Sequence, residues 1–395
     1  MFANQYIRKS NLTALLSCSA NKSTGIIVVI PCLYEPEILK TLQSLIRCIM
    51  PACGVEVVVV INHSENAPET IKIFNGKTKE ELDAWIRHNP KTGIRFFAAG
   101  PLELRKKWAG AGLARKKGMD EAIIRFNETG RNKGIIVSLD ADTVVEPNYL
   151  LEIDKHFRNN TNDIAATISF CHQSENLEET QLRGIKLYEQ YLAYYKQALD
   201  FTGYPFSMFT VGSAFAVSAE AYVKRGGMNR RQAGEDFYFL QNLAQIGTIG
   251  EISSTTVHPS ARLSNRVPFG TGPILQKWMK GEEDLTQTYH LDAFIDLKTF
   301  FGHINEFYQL GEAEYTQVLN KLPRAVAAYL IHDYFWKDLK ELNANCASES
   351  MFKKRFFQKF NAFRILKFLN FAHNGFYEKA DLDEQCLKLE AGTNQ

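Results

Sequence analysis

Two short acidic pairs carry most of the chemistry that residue type and spacing suggest. Asp140 and Asp142 flank Ala141 directly after Gly134 to Leu139, an apolar run read as a buried strand. Carboxylates at positions i and i+2 past a strand can share one divalent cation once the chain leaves pleated geometry. The cation also relieves their mutual repulsion. Hard oxygen ligands of this kind suit Mg2+ or Mn2+. Glu235 and Asp236 follow Gly234 at the start of a helix read as far as Ile246. Carboxylates in a first turn suit the helix dipole, so capping accounts for this pair on spacing alone. A third feature is the segment from Arg262 to Gly272, which mixes basic, small and conformationally permissive residues as phosphate-wrapping loops do. Arg262 and Arg266 suit bidentate phosphate contact, with a solvated loop face or pairing to Glu282 and Glu283 as the plainer readings.

These residues need a scaffold, and the apolar pattern supplies one. Ile26 to Ile30 is an unbroken β-branched run, the mark of a strand buried on both faces, with Pro31 read as its end. Ile38, Leu42, Leu45 and Ile49 recur at helical spacing; Val55 to Ile61 and Ile94 to Ala98 read as further strands. The series is βαβ, for which right-handed crossovers and a parallel sheet are expected. Ligands of such sheets sit beyond the carboxyl ends of strands, where Asp140 and Asp142 stand. Trp108 to Phe126 sets Gly110, Gly112 and Gly118 among alanines and basic residues, with Arg115 and Lys116 read by default as a solvated helix face; Glu178 to Leu199 reads as a helix and Val211 to Val217 as a strand. From about Ile274 onward helices follow one another, including Phe294 to Leu310 and Tyr315 to Trp336. Met351 to Phe376 interleaves phenylalanines with Lys353, Lys354, Arg355, Lys359, Arg364 and Lys367 and contains no acid. As one helix it is either packing or an interfacial helix making peripheral contact with an anionic membrane.

With 46 Lys and Arg against 44 Asp and Glu, the net charge of +2 argues against nucleic acid as a partner. An apolar fraction of 45% is that of an ordinary folded protein. The seven cysteines are scattered, without a CxxC pair, which points to free thiols and a cytoplasmic setting. Leu15 to Cys18 has too little apolar sequence before it for a lipoprotein signal, and no apolar run approaches the ~20 residues of a membrane span.

Four elements in order resemble glycosyltransferase family 2, from Gly25 to about His258. Ile30-Pro31-Cys32-Leu33-Tyr34-Glu35 is similar to the family's first-strand motif, and Gly112 to Gly118 to its GxxxARNxG helix. Asp140-Ala141-Asp142 matches its DxD element, and Gly226-Gly227 followed by Gly234-Glu235-Asp236 its GG-then-ED segment. Leu33-Tyr34 replaces the usual aromatic-Asn pair, and Asn62 stands where an Asp commonly holds the base, an amide that can still donate and accept.

The resemblance implies a GT-A α/β fold for a domain taken over 25–272; the polar, unpatterned 1–24 reads as an N-terminal extension and the helical pattern of 273–395 as a separate C-terminal region. The resemblance implies a nucleotide-sugar donor held by Pro31, Leu33, Glu35, Asn62, Arg115 and Asp140; Arg262 and Arg266, in a loop that the minimal family pattern lacks, join the donor set on their suitability for phosphate. A divalent cation falls to Asp142 and Asp140, with His258 as a third ligand. Asp236 is the base that activates an acceptor hydroxyl of a glycan or lipid-linked molecule, Glu235 assists or substitutes, and transfer inverts the anomeric carbon. A silent GT-A scaffold is the main alternative, against which both acidic pairs are present. A dinucleotide-binding oxidoreductase would need a GxGxxG turn where Cys32 to Glu35 stands.

Overall fold

The structure is a computed structural model describing residues 1–230, 234–264 and 270–393. The chain divides into two compact units, residues 1–177 with 210–276 and residues 178–209 with 277–395. The division is not contiguous: the long helix after residue 178 belongs with the later helices, whereas the sequence reading kept 25–272 in one piece.

In the first unit, α1 (Asn4–Lys9) precedes β1 (Thr24–Cys32), α2 (Ile38–Ile46), β2 (Gly54–Ser64), α3 (Glu69–His88), β3 (Ile94–Leu104) and α4 (Ala111–Glu128). Then come β4 (Ile135–Ser138), β5 (Val144–Val145), α5 (Tyr149–Asn159) and β6 (Asp163–Phe170). After the excursion through α6 (Glu179–Phe201) the unit resumes with β7 (Phe215–Ser218), α7 (Ala219–Arg225), α8 (Glu235–Ala244) and β8 (Thr248–His258). The eight strands form one sheet in the order β3-β2-β1-β4-β7-β6-β8-β5. Strands β1, β2, β3 and β4 run parallel, as do β6 and β8, while β7 is antiparallel to both β4 and β6. This is the mostly parallel sheet flanked by helices that the apolar runs imply. From β1 the chain proceeds outward to β2 and β3, and the next strand, β4, returns to the other side of β1. The carboxyl ends of β1 and β4 therefore bound the crevice where such sheets bind ligands.

Several local expectations change. Pro31 lies inside β1, opposite Val60. Helix α3 and strand β6 occupy segments that the apolar pattern did not mark. Residues 1–24 are folded against α4: Tyr6 donates to Asp120 at 2.7 Å, Ala3 N–H to Asn127 at 2.9 Å and Leu15 N–H to Glu121 at 2.7 Å. A segment without an apolar pattern is fixed here by buried polar side chains of α4, which satisfy its backbone groups. Helix α4 itself lies directly on the sheet at Gly118, where a Cβ would come within 2.4 Å of Val29.

Past α9 (Thr271–Met279), the second unit contains α10 (Leu291–Gly302), α11 (Glu312–Leu319), α12 (Arg324–His332) and α13 (Phe335–Ala344). It closes with α14 (Glu349–Lys359), α15 (Ala362–Ala372) and α16 (Leu382–Thr393). The stretch read as one helix over 351–376 is two, because Asn361 caps α15 by accepting from the backbone of Phe363 and Arg364. Phe352, Phe356, Phe357, Phe360 and Phe368 are buried, and Phe356 meets the rings of Phe300, Phe307 and Phe335. The aromatic band is thus a core of this unit; Phe363, 40% exposed, is its outward member. Among the described residues no helix is long and apolar enough to cross a membrane, and no disulfide joins any of the cysteines.

Candidate active site

Arg115, on the second turn of α4, organises the carboxylates. Its side chain is only 3% exposed. Nε donates to Glu235 at 3.2 Å, Nη2 to Asp140 at 2.9 Å, and Nη1 to the Ser138 hydroxyl at 2.6 Å and the Gly212 carbonyl at 3.0 Å. The Ser138 hydroxyl in turn donates to the Gly212 carbonyl at 2.6 Å. The first acid of the DAD turn and the first acid of α8, far apart in sequence, therefore share one guanidinium.

Asp236 stands beside this cluster. It forms no ion pair among the described residues, and it accepts from the Phe237 N–H at 2.8 Å. Burial, then the Glu235 charge, push its carboxyl from the ordinary 3.8 up to about 7, against the opposing pull of Arg115. A carboxylate poised near neutrality is what a general base needs.

Two further contacts fix the DAD turn. Thr41 donates to the Ala141 carbonyl at 2.9 Å, and Gln173 donates to the carbonyls of Asp142 at 2.9 Å and His258 at 2.7 Å. Arg262 bridges the second DAD acid to the first-strand motif: it pairs with Asp142 at 3.2 Å and grips both oxygens of buried Glu35. Of the sequence alternatives for Arg262, the structure gives a carboxylate partner, but Glu35 and Asp142 rather than Glu282 or Glu283. Arg266 lies outside the described residues.

His258 uses both ring nitrogens, Nε2 with Glu146 at 2.8 Å and Nδ1 with the Cys171 carbonyl at 2.9 Å. To bind a cation it would have to exchange a partner. Asn62 is buried and donates to the Cys32 carbonyl at 3.0 Å, so its amide joins the ends of β1 and β2, and its Oδ1 finds no hydrogen-bond partner among the described residues. Pro31 is buried in β1, and Leu33 is half-buried just beyond that strand's end. No group of three or more His, Cys, Asp or Glu able to hold a metal occurs among the described residues. Asp140 and Asp142 nonetheless offer hard oxygens on partly exposed side chains, 35% and 24%. With a diphosphate completing the coordination, that donor set fits a divalent cation once Arg262 yields Asp142. Sequence reasoning missed Ser138, Gly212, Thr41 and Gln173, whose contribution is a hydroxyl, two amide hydrogens or a carbonyl at a spot only the fold defines.

Residues 135–285 match the family model of glycosyl transferase family group 2, a span that contains both acidic pairs, His258 and Arg262. That match spans less than half of the chain. Among solved structures, S. aureus TarS 1–349 in complex with UDP-GlcNAc is 13% identical, with a TM-score of 0.43 over 85% of this chain and 92% of that one. A mannosyltransferase from Pyrobaculum calidifontis in complex with GDP-Man and Mn2+ is 11% identical, with a TM-score of 0.39 over 91% and 93%. At these scores neither likeness bears on function. No curated protein matches the chain. The DxD-type turn and the ED pair of the matched span, recognised separately in sequence, meet at Arg115.

Proposed function

We propose that the protein transfers a sugar from a nucleoside-diphosphate donor to a hydroxyl of a glycan or lipid-linked acceptor, with inversion, and that it uses Mn2+ or Mg2+. The observation that supports this best is the cluster at the carboxyl ends of β1 and β4, where one carboxyl stays near neutrality beside two that are ion-paired. Asp142 and Asp140 would hold the cation, which when bound supplies Lewis-acid stabilisation to the departing diphosphate. Arg262 is placed to exchange Asp142 for a phosphate, to which a guanidinium binds well. The acceptor oxygen attacks the anomeric carbon, the bond to the diphosphate breaks, and the electron pair leaves with the nucleotide. Asp236 takes the acceptor proton. Attack opposite the leaving group inverts the centre.

The deciding experiment is hydrolysis of UDP- and GDP-sugars by the full chain, with Mn2+ and with chelator. Turnover of one donor that chelation stops supports the reading. Absence of turnover with every donor would remove it in favour of a silent scaffold.

A further inference from the structure

We propose that Arg115 is a positioning residue of the transfer reaction rather than a ligand of the donor: it locks Asp140 and Glu235 into one frame and leaves Asp236 as the carboxylate that takes the proton. The inference rests on the reading above and gives Arg115 a role in it that the family resemblance does not.

Four hydrogen bonds to groups of the protein itself engage four of the five donors a guanidinium has. The side chain is walled in from the other side as well. A Cβ on Gly212 would lie 2.8 Å from Arg115 Nη2 and 3.2 Å from Asp236 Oδ2, so the backbone there is fitted around the guanidinium and the proposed base together. Three carboxylates surround this one cation. Asp140 and Glu235 take its hydrogen bonds, and Asp236 receives only its field. An ammonium could neutralise part of that charge but could not span both carboxylates, a hydroxyl and a carbonyl, because the planar fork is what reaches them.

The test uses Arg115→Lys, Arg115→Met and Gly212→Ala in the full chain, with a thermal melt of each and donor hydrolysis on the best donor found for the wild type. Lys keeps the charge, and Gly212→Ala crowds the guanidinium most and Asp236 less, altering the chemistry of neither. If Arg115→Met does not fold, these two still decide. The expected result is a fall in kcat on the order of 10²-fold in both, with donor KM and the Kd of the free nucleotide little changed, the pattern of lost alignment. Raised KM and nucleotide Kd at unchanged kcat would make Arg115 a donor ligand instead. Unchanged kcat, KM and Kd in folded variants would leave it a structural residue only. Either result overturns the proposal. Failure of the wild type to hydrolyse any donor would strike the proposed function first, and is distinguishable from both.

Discussion

Helix α4 carries two buried arginines that keep different company. Arg115 faces Asp140, Glu235 and Asp236, three carboxylates for one cation. Arg125, three turns further along, faces Glu56 at 2.5 Å and Glu121 at 3.6 Å, and its remaining donors reach the carbonyls of Cys18 at 3.0 Å and Ser19 at 3.3 Å. Arg95 joins the same Glu56, so this second cluster has two cations for two acids. The balance sets the protonation. Burial alone would raise Glu56, but its hydrogen bonds to Arg125 and Arg95 bring it below its ordinary range. At the other end of the helix burial, reinforced by the neighbouring Glu235 charge, raises the Asp236 carboxyl to about 7. A balanced cluster is a fastener; one with excess negative charge can pick up and release a proton in the working pH range.

The sharpest break between the two clusters comes from Asp236→Asn. Donor binding should survive while kcat falls by ~10²–10⁴-fold, the usual weight of a general base. The same variant should be the more stable protein at pH 8. A carboxyl raised from 3.8 to about 7 contributes stability that is full below pH 4 and lost as pH rises through 7, so an amide avoids the loss. Thermal melts at pH 4 and pH 8 should show no difference at the first and a gain at the second.

Arg125→Met should do the opposite, costing ~3–5 kcal/mol of stability by leaving Glu56 buried without its main partner. Donor hydrolysis per folded molecule should stay at the wild-type rate. Denaturant titration beside activity measures both, and a loss of kcat in the folded fraction would erase the distinction between the two ends of α4.

The two clusters should also separate by pH. In the wild type, kcat should rise with pH and level off above about 7, because only ionised Asp236 accepts the proton. Stability held by Glu56 is present above its ordinary 4.5 and is lost as pH falls below that value, so acid unfolding rather than catalysis should report this carboxylate. Glu56→Gln should flatten that acid limb of stability and leave the activity profile in place.

The smallest effect is expected between the two arginines, at Lys116 and Asp120, where Tyr6 brings in the N-terminal segment. Tyr6→Phe removes one of the hydrogen bonds on Asp120 and should cost ~1 kcal/mol in a melt, with activity unchanged.

The residues of the acidic pairs were readable because their chemistry is local: carboxylates beyond a β-branched run and at a helix start need no tertiary information to be noticed. The parallel core was readable for the same reason, since β1, β2 and β4 are buried on both faces and their central runs are apolar, the buried Glu56, Asn62 and Ser138 being among the polar exceptions. Less could be seen where polar residues do the packing. Helix α4 looks like a solvated basic helix in sequence, yet Arg115, Lys116, Asp120, Glu121, Arg125 and Asn127 are all buried on it. The phenylalanines of 351–376 suggest one amphipathic helix, yet Asn361 starts a second by capping it, and the rings face neighbours tens of residues away.

Sequence by itself determined the inventory: an α/β chain with two acidic pairs, an arginine-bearing loop and the order of elements that sets them at strand and helix ends. Only the tertiary structure decided which acid pairs with which base. Glu235 and Asp236 are neighbours on one helix start, but Glu235 points to Arg115 and Asp236 does not. Burial and the sum of nearby charges then separate two otherwise similar carboxylates. Those quantities belong to positions in space, set by the register of β1 with β4 and the seating of α4 on them, and no spacing along the chain encodes them.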